Sequence, residues 1–205
     1  MLPVTPWPYN DQPAGLALPD FGLPADEGAR LRDRIWALLL SGRDDPDYFA
    51  VVEGGQWAAL THAQLVEAFA HARQARVRQQ AQWAGQEVRT NLDLAFDDLN
   101  AAGIVARQDF TCCGTCGAAE IEDEADDSRH WRGYVFYHQQ DTPGLADEGS
   151  VYLSYGVFPP DSMDVREFVN TEVVPRLTAR GLDVEWNTDL GTRILVRGAQ
   201  WYAHV

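Results

Sequence analysis

Ile104-Val105-Ala106-Arg107-Gln108-Asp109-Phe110-Thr111-Cys112-Cys113-Gly114-Thr115-Cys116-Gly117 carries every thiol of a 205-residue chain in one loop. Residues 104–108 are apolar and β-branched enough to predict a short strand. Residues beyond Cys116 run into Glu120, Glu122, Asp123 and Glu124, which predicts an acidic helix to about residue 127. A strand that enters a cysteine loop and leaves as a helix sets the reading of everything downstream. Residues 133–140 and 150–157 follow as two strands of a hairpin, and a helix ending at Gly181 places Val165, Phe168, Val169, Val173 and Leu177 on one side. Asp161 or Ser162 is the expected cap of that helix, and Pro175 should kink or strain it. Residues 182–186 and 192–197 form a last strand pair. The order from Ile104 predicts an α+β fold, an antiparallel sheet with helices on one face. It is compatible with a ferredoxin-like split βαβ plus an extra strand.

Upstream, the chain divides by composition. Residues 1–25 hold six prolines and read as a Pro-rich leader, extended or without regular structure. Residues 26–84 read as a helical N-terminal region, with one helix over 27–40 and a small hairpin over 48–60 around Gly54-Gly55. A second helix over 62–83 opens on the capping box Thr61-His62-Ala63-Gln64. Residues 85–205 read as the α+β core domain, entered by a helix that carries Leu92, Ala95 and Leu99 and stops at Gly103.

Charge limits the partners. Sixteen basic residues, all arginine, stand against 31 acidic ones, a net charge of −15. Such a field repels phosphate backbones and anionic lipid, so neither nucleic acid nor membrane is an expected partner. Lysine Schiff-base and Walker-type chemistry are excluded because the chain has no lysine. The opening residues lack the basic start and apolar run of a secretory signal, and the longest apolar run, 35–40, is too short to span a bilayer. A cytoplasmic location is the expectation, with the cysteines as free thiols.

The segment from about 91 to 193 resembles a bacterial family known only as a domain of unknown function. The resemblance is carried by Leu92-Asp93-Leu94-Ala95-Phe96, Phe110-Thr111-Cys112-Cys113 with Cys116-Gly117, and the long motif Gly133-Tyr134-Val135-Phe136-Tyr137-His138-Gln139-Gln140-Asp141-Thr142. Tyr155-Gly156, Val184-Glu185-Trp186 and Thr192-Arg193 extend it. It implies no activity, cofactor or substrate.

Four chemistries are open to the loop. Cys113-Gly114-Thr115-Cys116 has the spacing of half a zinc site, with Cys112 as third ligand and His138 or Asp141 completing the set if the hairpin folds over the loop. Thirteen residues separate Cys116 from His130, but seven then separate His130 from His138, so the short histidine spacing of a zinc finger is missing. A reactive dithiol at a helix start is the second reading, opposed by the acidic residues downstream, which should raise thiol pKa values. Buried, merely packed cysteines with glycines supplying unusual backbone angles are the third. A nucleophile pair of cysteine with His138 as base is the fourth; on a strand, His138 and Asp141 would face opposite sides, removing the orienter. No dinucleotide fingerprint, phosphate loop or nucleophile elbow appears, so no organic cofactor site is expected. The leading reading is therefore a non-catalytic module that binds a protein partner through its helical or aromatic surface, with a structural cysteine loop. The alternative is a zinc-binding or thiol-dependent enzyme built on Cys112, Cys113, Cys116 and His138.

Overall fold

A computed structural model describes residues 7–159 and 163–205. The described chain forms two compact units, one of residues 89–201, the other of residues 7–88 joined by residues 202–205.

The smaller unit is helical. Helix α1 (Ala25–Leu40) buries Leu31, Ile35, Leu38 and Leu39 on one stripe, as their spacing predicts. Helix α3 (His62–Gln80) begins at the capping box, in which the Thr61 side chain accepts from the Gln64 amide and Gln64 reaches back. Between them the chain is helical, not a hairpin: α2 (Pro46–Glu53) is followed by a 3₁₀ turn, Gly54–Trp57. Tyr48, Phe49, Val51 and Val52 have strand composition, but Asp45 caps the Tyr48 amide and Pro46 supplies a first-turn φ. Gly54 is right-handed helical, φ −56, so no turn reverses the chain there. The leader, where it is described, is a strap: the Trp36 indole donates to the Asn10 carbonyl at 3.1 Å and Gln79 to that of Asp11 at 2.7 Å. Arg76 is fully buried beneath it, donating to the carbonyls of Tyr9 and Ala203, its guanidinium over the rings of Trp36 and Tyr202.

The larger unit is built on a five-stranded sheet ordered β1-β2-β3-β5-β4. The strands are β1 (Ile104–Arg107), β2 (Gly133–Phe136), β3 (Val151–Val157), β4 (Asp183–Glu185) and β5 (Ile194–Arg197). The α+β class holds, with two differences from expectation. First, the sheet is mixed: β1 and β2 are parallel direct neighbours, Ile104 opposite Gly133, with no strand inserted between them as a split βαβ requires. The other pairs are antiparallel. Second, helices cover more than one face at β1 and β2. Ile104, Ala106, Val135 and Tyr137 face the main core with α4 (Asn91–Ala101). Val105 and Phe136 alternate to the other side, where Ile121 and Phe158 complete a smaller cluster.

The cap expected at Asp161 or Ser162 lies outside the described residues; Asp164 accepts from the amides of Arg166 and Glu167 and starts α7 (Val165–Phe168). A π turn, Val169–Val173, leads into α8 (Val174–Ala179), and Pro175 sits at its first turn. Proline offers no N–H to the carbonyl four residues back, and the chain widens by one turn directly ahead of it. Phe168, Val169, Val173 and Leu177 still reach the main core. Among the described residues no helix is long and apolar enough to cross a membrane.

Candidate functional site

Parallel strands cannot be joined by a tight turn, so residues 108–132 must cross over, and the cysteine loop is the start of that crossover. It leaves the carboxyl end of β1 beside the segment leaving the carboxyl end of β2, the place where open sheets gather ligand-binding groups. Backbone bonds stitch the two exits together: Phe110 N–H donates to the Tyr137 carbonyl at 2.8 Å, and Gln139 N–H to that of Thr111 at 3.1 Å. Unusual backbone angles are present, though not at the glycines: Asp109 and Thr111 have φ of 49° and 58°. A β-branched threonine in the left-handed region is sterically costly, and the bonds on either side hold it there.

The cysteines are not packed as buried hydrophobes. Cys112 is exposed, Cys113 and Cys116 half-buried. Cys113 precedes α5 (Gly114–Glu120), whose first turn contains Cys116. Gly117 in that turn rests on the Phe136 ring so closely that a Cβ there would collide with it. The three sulfurs lie within 4.8 Å of one another, and those of Cys112 and Cys116 share a hydrogen bond across 3.4 Å. This set of ligand atoms could hold a metal ion; among the described residues neither His130 nor His138 belongs to it. The Cys116 backbone N–H, then its thiol and the Thr115 amide, favour the Cys113 thiolate and lower its pKa. Cys116 is pushed up to about 12, first by the Cys112 sulfur and then by Cys113, which share its proton and oppose a second negative charge. The acidic residues downstream are absent from these causes. Glu124 instead pairs with Arg107 at 2.6 Å, and Asp126 accepts from the Trp131 indole at 3.0 Å.

His138 lies beside the loop, its Cδ2 edge 3.4 Å from where a Gly114 Cβ would stand. The strand has ended at Phe136, and residues 138–141 form a turn closed by Asp141 N–H donating to the His138 carbonyl at 2.8 Å. The turn removes the opposite-face objection: the Asp141 carboxylate meets His138 Nε2 at 3.2 Å. Arg193 grips the same carboxylate with two bonds, at 3.0 and 2.6 Å. Nε2–H on Asp141 leaves His138 Nδ1 as the basic nitrogen, buried and without a hydrogen-bond partner. Sequence reasoning missed Arg193 as the anchor and also helix α6 (Thr142–Glu148). Asp141-Thr142-Pro143 ahead of Gly149, a left-handed stop, was the signal for that helix. The Thr142 hydroxyl donates to Asp109, tying α6 to the strained start of the cysteine loop.

Fold and loop together define an α+β protein with a three-thiol cluster on a parallel crossover and an Asp–His pair at its side. The chain belongs to the family described as a domain of unknown function (DUF6891), whose model matches residues 25–204. The match reaches into the helical N-terminal region, beyond the segment from 91 to 193 on which the sequence resemblance rests. Comparison with curated proteins and with solved structures returns no match.

Proposed function

We propose that this protein binds one zinc or similarly soft metal ion through Cys112, Cys113 and Cys116 as thiolates. The observation that carries the reading is the mutual approach of the three sulfurs, within 4.8 Å. A Zn–S bond of about 2.3 Å in tetrahedral geometry needs sulfurs about 3.8 Å apart, within reach of small side-chain rotations. Three protein ligands leave a fourth position open, the layout that favours exchange of water or substrate over a closed structural site. The metal reading stands without His138 as base: Asp141, fixed by Arg193, occupies its Nε2, and its Nδ1 is buried on the ring edge turned away from the loop. Elemental mass spectrometry on tag-free protein purified without chelator tests it, with Cys113→Ser in parallel. Near one ion per chain, lost in the variant while the far-ultraviolet spectrum is kept, is the expected result; no metal in either protein would sink the reading.

A second reading, a module that binds a protein partner, draws on one observation. Tyr48, Val51 and Val52 lie at i, i+3 and i+4 on α2, exposed by 64, 74 and 57%. Amine cross-linkers have no lysine to react with, so a photoreactive residue at position 48 is the probe. Capture of a discrete partner, abolished by Val51→Ser, is expected; no adduct in the native host would count against it.

A further inference from the structure

The motif and the geometry name different cysteine pairs. Cys113-Gly114-Thr115-Cys116 has the spacing of a redox dithiol, yet the direct sulfur contact, 3.4 Å, joins Cys112 to Cys116. Cys113 shares the cluster, with all three sulfurs within 4.8 Å of one another, but the 3.4 Å sulfur–sulfur hydrogen bond is between the other two. Cys112 is the exposed member of the cluster and therefore the one an oxidant in solution meets first.

We propose that the metal-free site is a peroxide-sensitive dithiol in which Cys112 and Cys116 close to a disulfide, leaving Cys113 free. The Cys112 sulfur attacks one oxygen of hydrogen peroxide; an S–O bond forms, the O–O bond breaks, and the departing hydroxide takes a proton and leaves as water. The Cys116 sulfur then attacks the sulfenic sulfur; the S–S bond forms, the S–O bond breaks, and a second water leaves with the Cys116 proton. Two thiols lose two electrons and two protons, and one peroxide becomes two waters. The disulfide removes two of three metal ligands, so oxidation expels the ion and bound metal blocks oxidation. This regulatory half rests on the metal reading; the pairing does not.

The experiment treats metal-stripped and zinc-loaded protein with hydrogen peroxide, blocks free thiols with iodoacetamide, reduces, and labels the released thiols with N-ethylmaleimide. No arginine lies between Gln108 and Ser128, so one tryptic peptide holds all three cysteines, and fragment ions assign each label. The expected result is maleimide on Cys112 and Cys116 with carbamidomethyl on Cys113, unchanged pairing in Cys113→Ser, and no intramolecular disulfide of that register in Cys112→Ser. At a zinc concentration 100 times Kd, oxidation should slow about 100-fold, because only the free site reacts. Maleimide on Cys113 and Cys116, or three over-oxidised cysteines without a disulfide, would overturn the pairing. The expected labels without zinc protection would overturn the regulatory half, and parallel zinc titration shows whether the metal reading falls with it.

Discussion

The two faces of β1 and β2 differ in depth, and the difference locates the three thiols. On one side Ile104, Ala106, Val135 and Tyr137 join a core supplied by α4, α6, the π-bulged helix and three further strands. On the other, Val105 and Phe136 are covered by little more than Ile121, Phe158 and the short crossover elements. Thick packing fixes the strands, and the thin layer over their other face carries three solvent-accessible thiols. A reactive group needs access, and a single layer of chain over a rigid sheet gives it without loosening the sheet.

Damage to each side in turn should separate their roles. Phe168→Ala, in the main core, should cost about 4 kcal/mol of global stability, read by urea unfolding. If it costs no more than a surface change, the thick side is not the one that holds the fold. Gly117→Ala drives a methyl into Phe136 and should cost about 2 kcal/mol. Its larger signature is a rise in the thiol-to-alkylator reaction rate at Cys113 and Cys116 as α5 lifts; a fully native alkylation pattern would show that the thin layer accommodates the methyl.

A third comparison uses pH. Arg132 first, then Arg176, holds the Glu172 carboxyl below its ordinary value of 4.5. A depressed folded pKa contributes stability that is present above the unfolded value and is lost as pH falls through the folded one. Wild-type protein should therefore exceed Glu172→Gln in stability at pH 7, with the gap closing below about pH 4.5 as the carboxylate is protonated. Equal gaps at pH 7 and pH 3 would remove the ion pair from the account. The smallest effect has the opposite sign. Thr111→Gly relieves a left-handed backbone, φ 58, and gives up a hydroxyl bond to the Cys113 carbonyl. It should raise stability by less than about 1 kcal/mol while loosening the loop, seen as faster amide exchange at residues 111–113.

The same contrast explains what could be read from sequence. Leu92, Ala95 and Leu99 in α4, and Phe168, Val169 and Leu177 around the π turn, repeat at helical spacing because they serve one continuous core, and that periodicity is visible in one dimension. Thr61 and Gln64 announce a helix by local chemistry alone. Residues 48–60 mislead because β-branched composition is a weak preference, overridden here by the Asp45-Pro46 start. The cysteine cluster was visible as residue types, but its placement depended on Gln139 meeting Thr111 and on the turn that brings Asp141 to His138. Those contacts arise from parallel pairing of strands separated by a crossover, which no local pattern encodes. Arg193 is further still, 52 residues from the carboxylate it grips.

Arg76 gives the helical unit an order of events. Its guanidinium is closed off from water and donates to the carbonyl of Ala203, 127 residues later in the chain. During synthesis the helices at residues 25–80 leave the ribosome long before that acceptor exists. Until it does, a buried arginine would lack one of its bonds, and the Tyr202 ring that covers it would be missing. The first helices made therefore complete their unit last, after the sheet has been translated, and truncation before Tyr202 would strand a cation in a half-built interior.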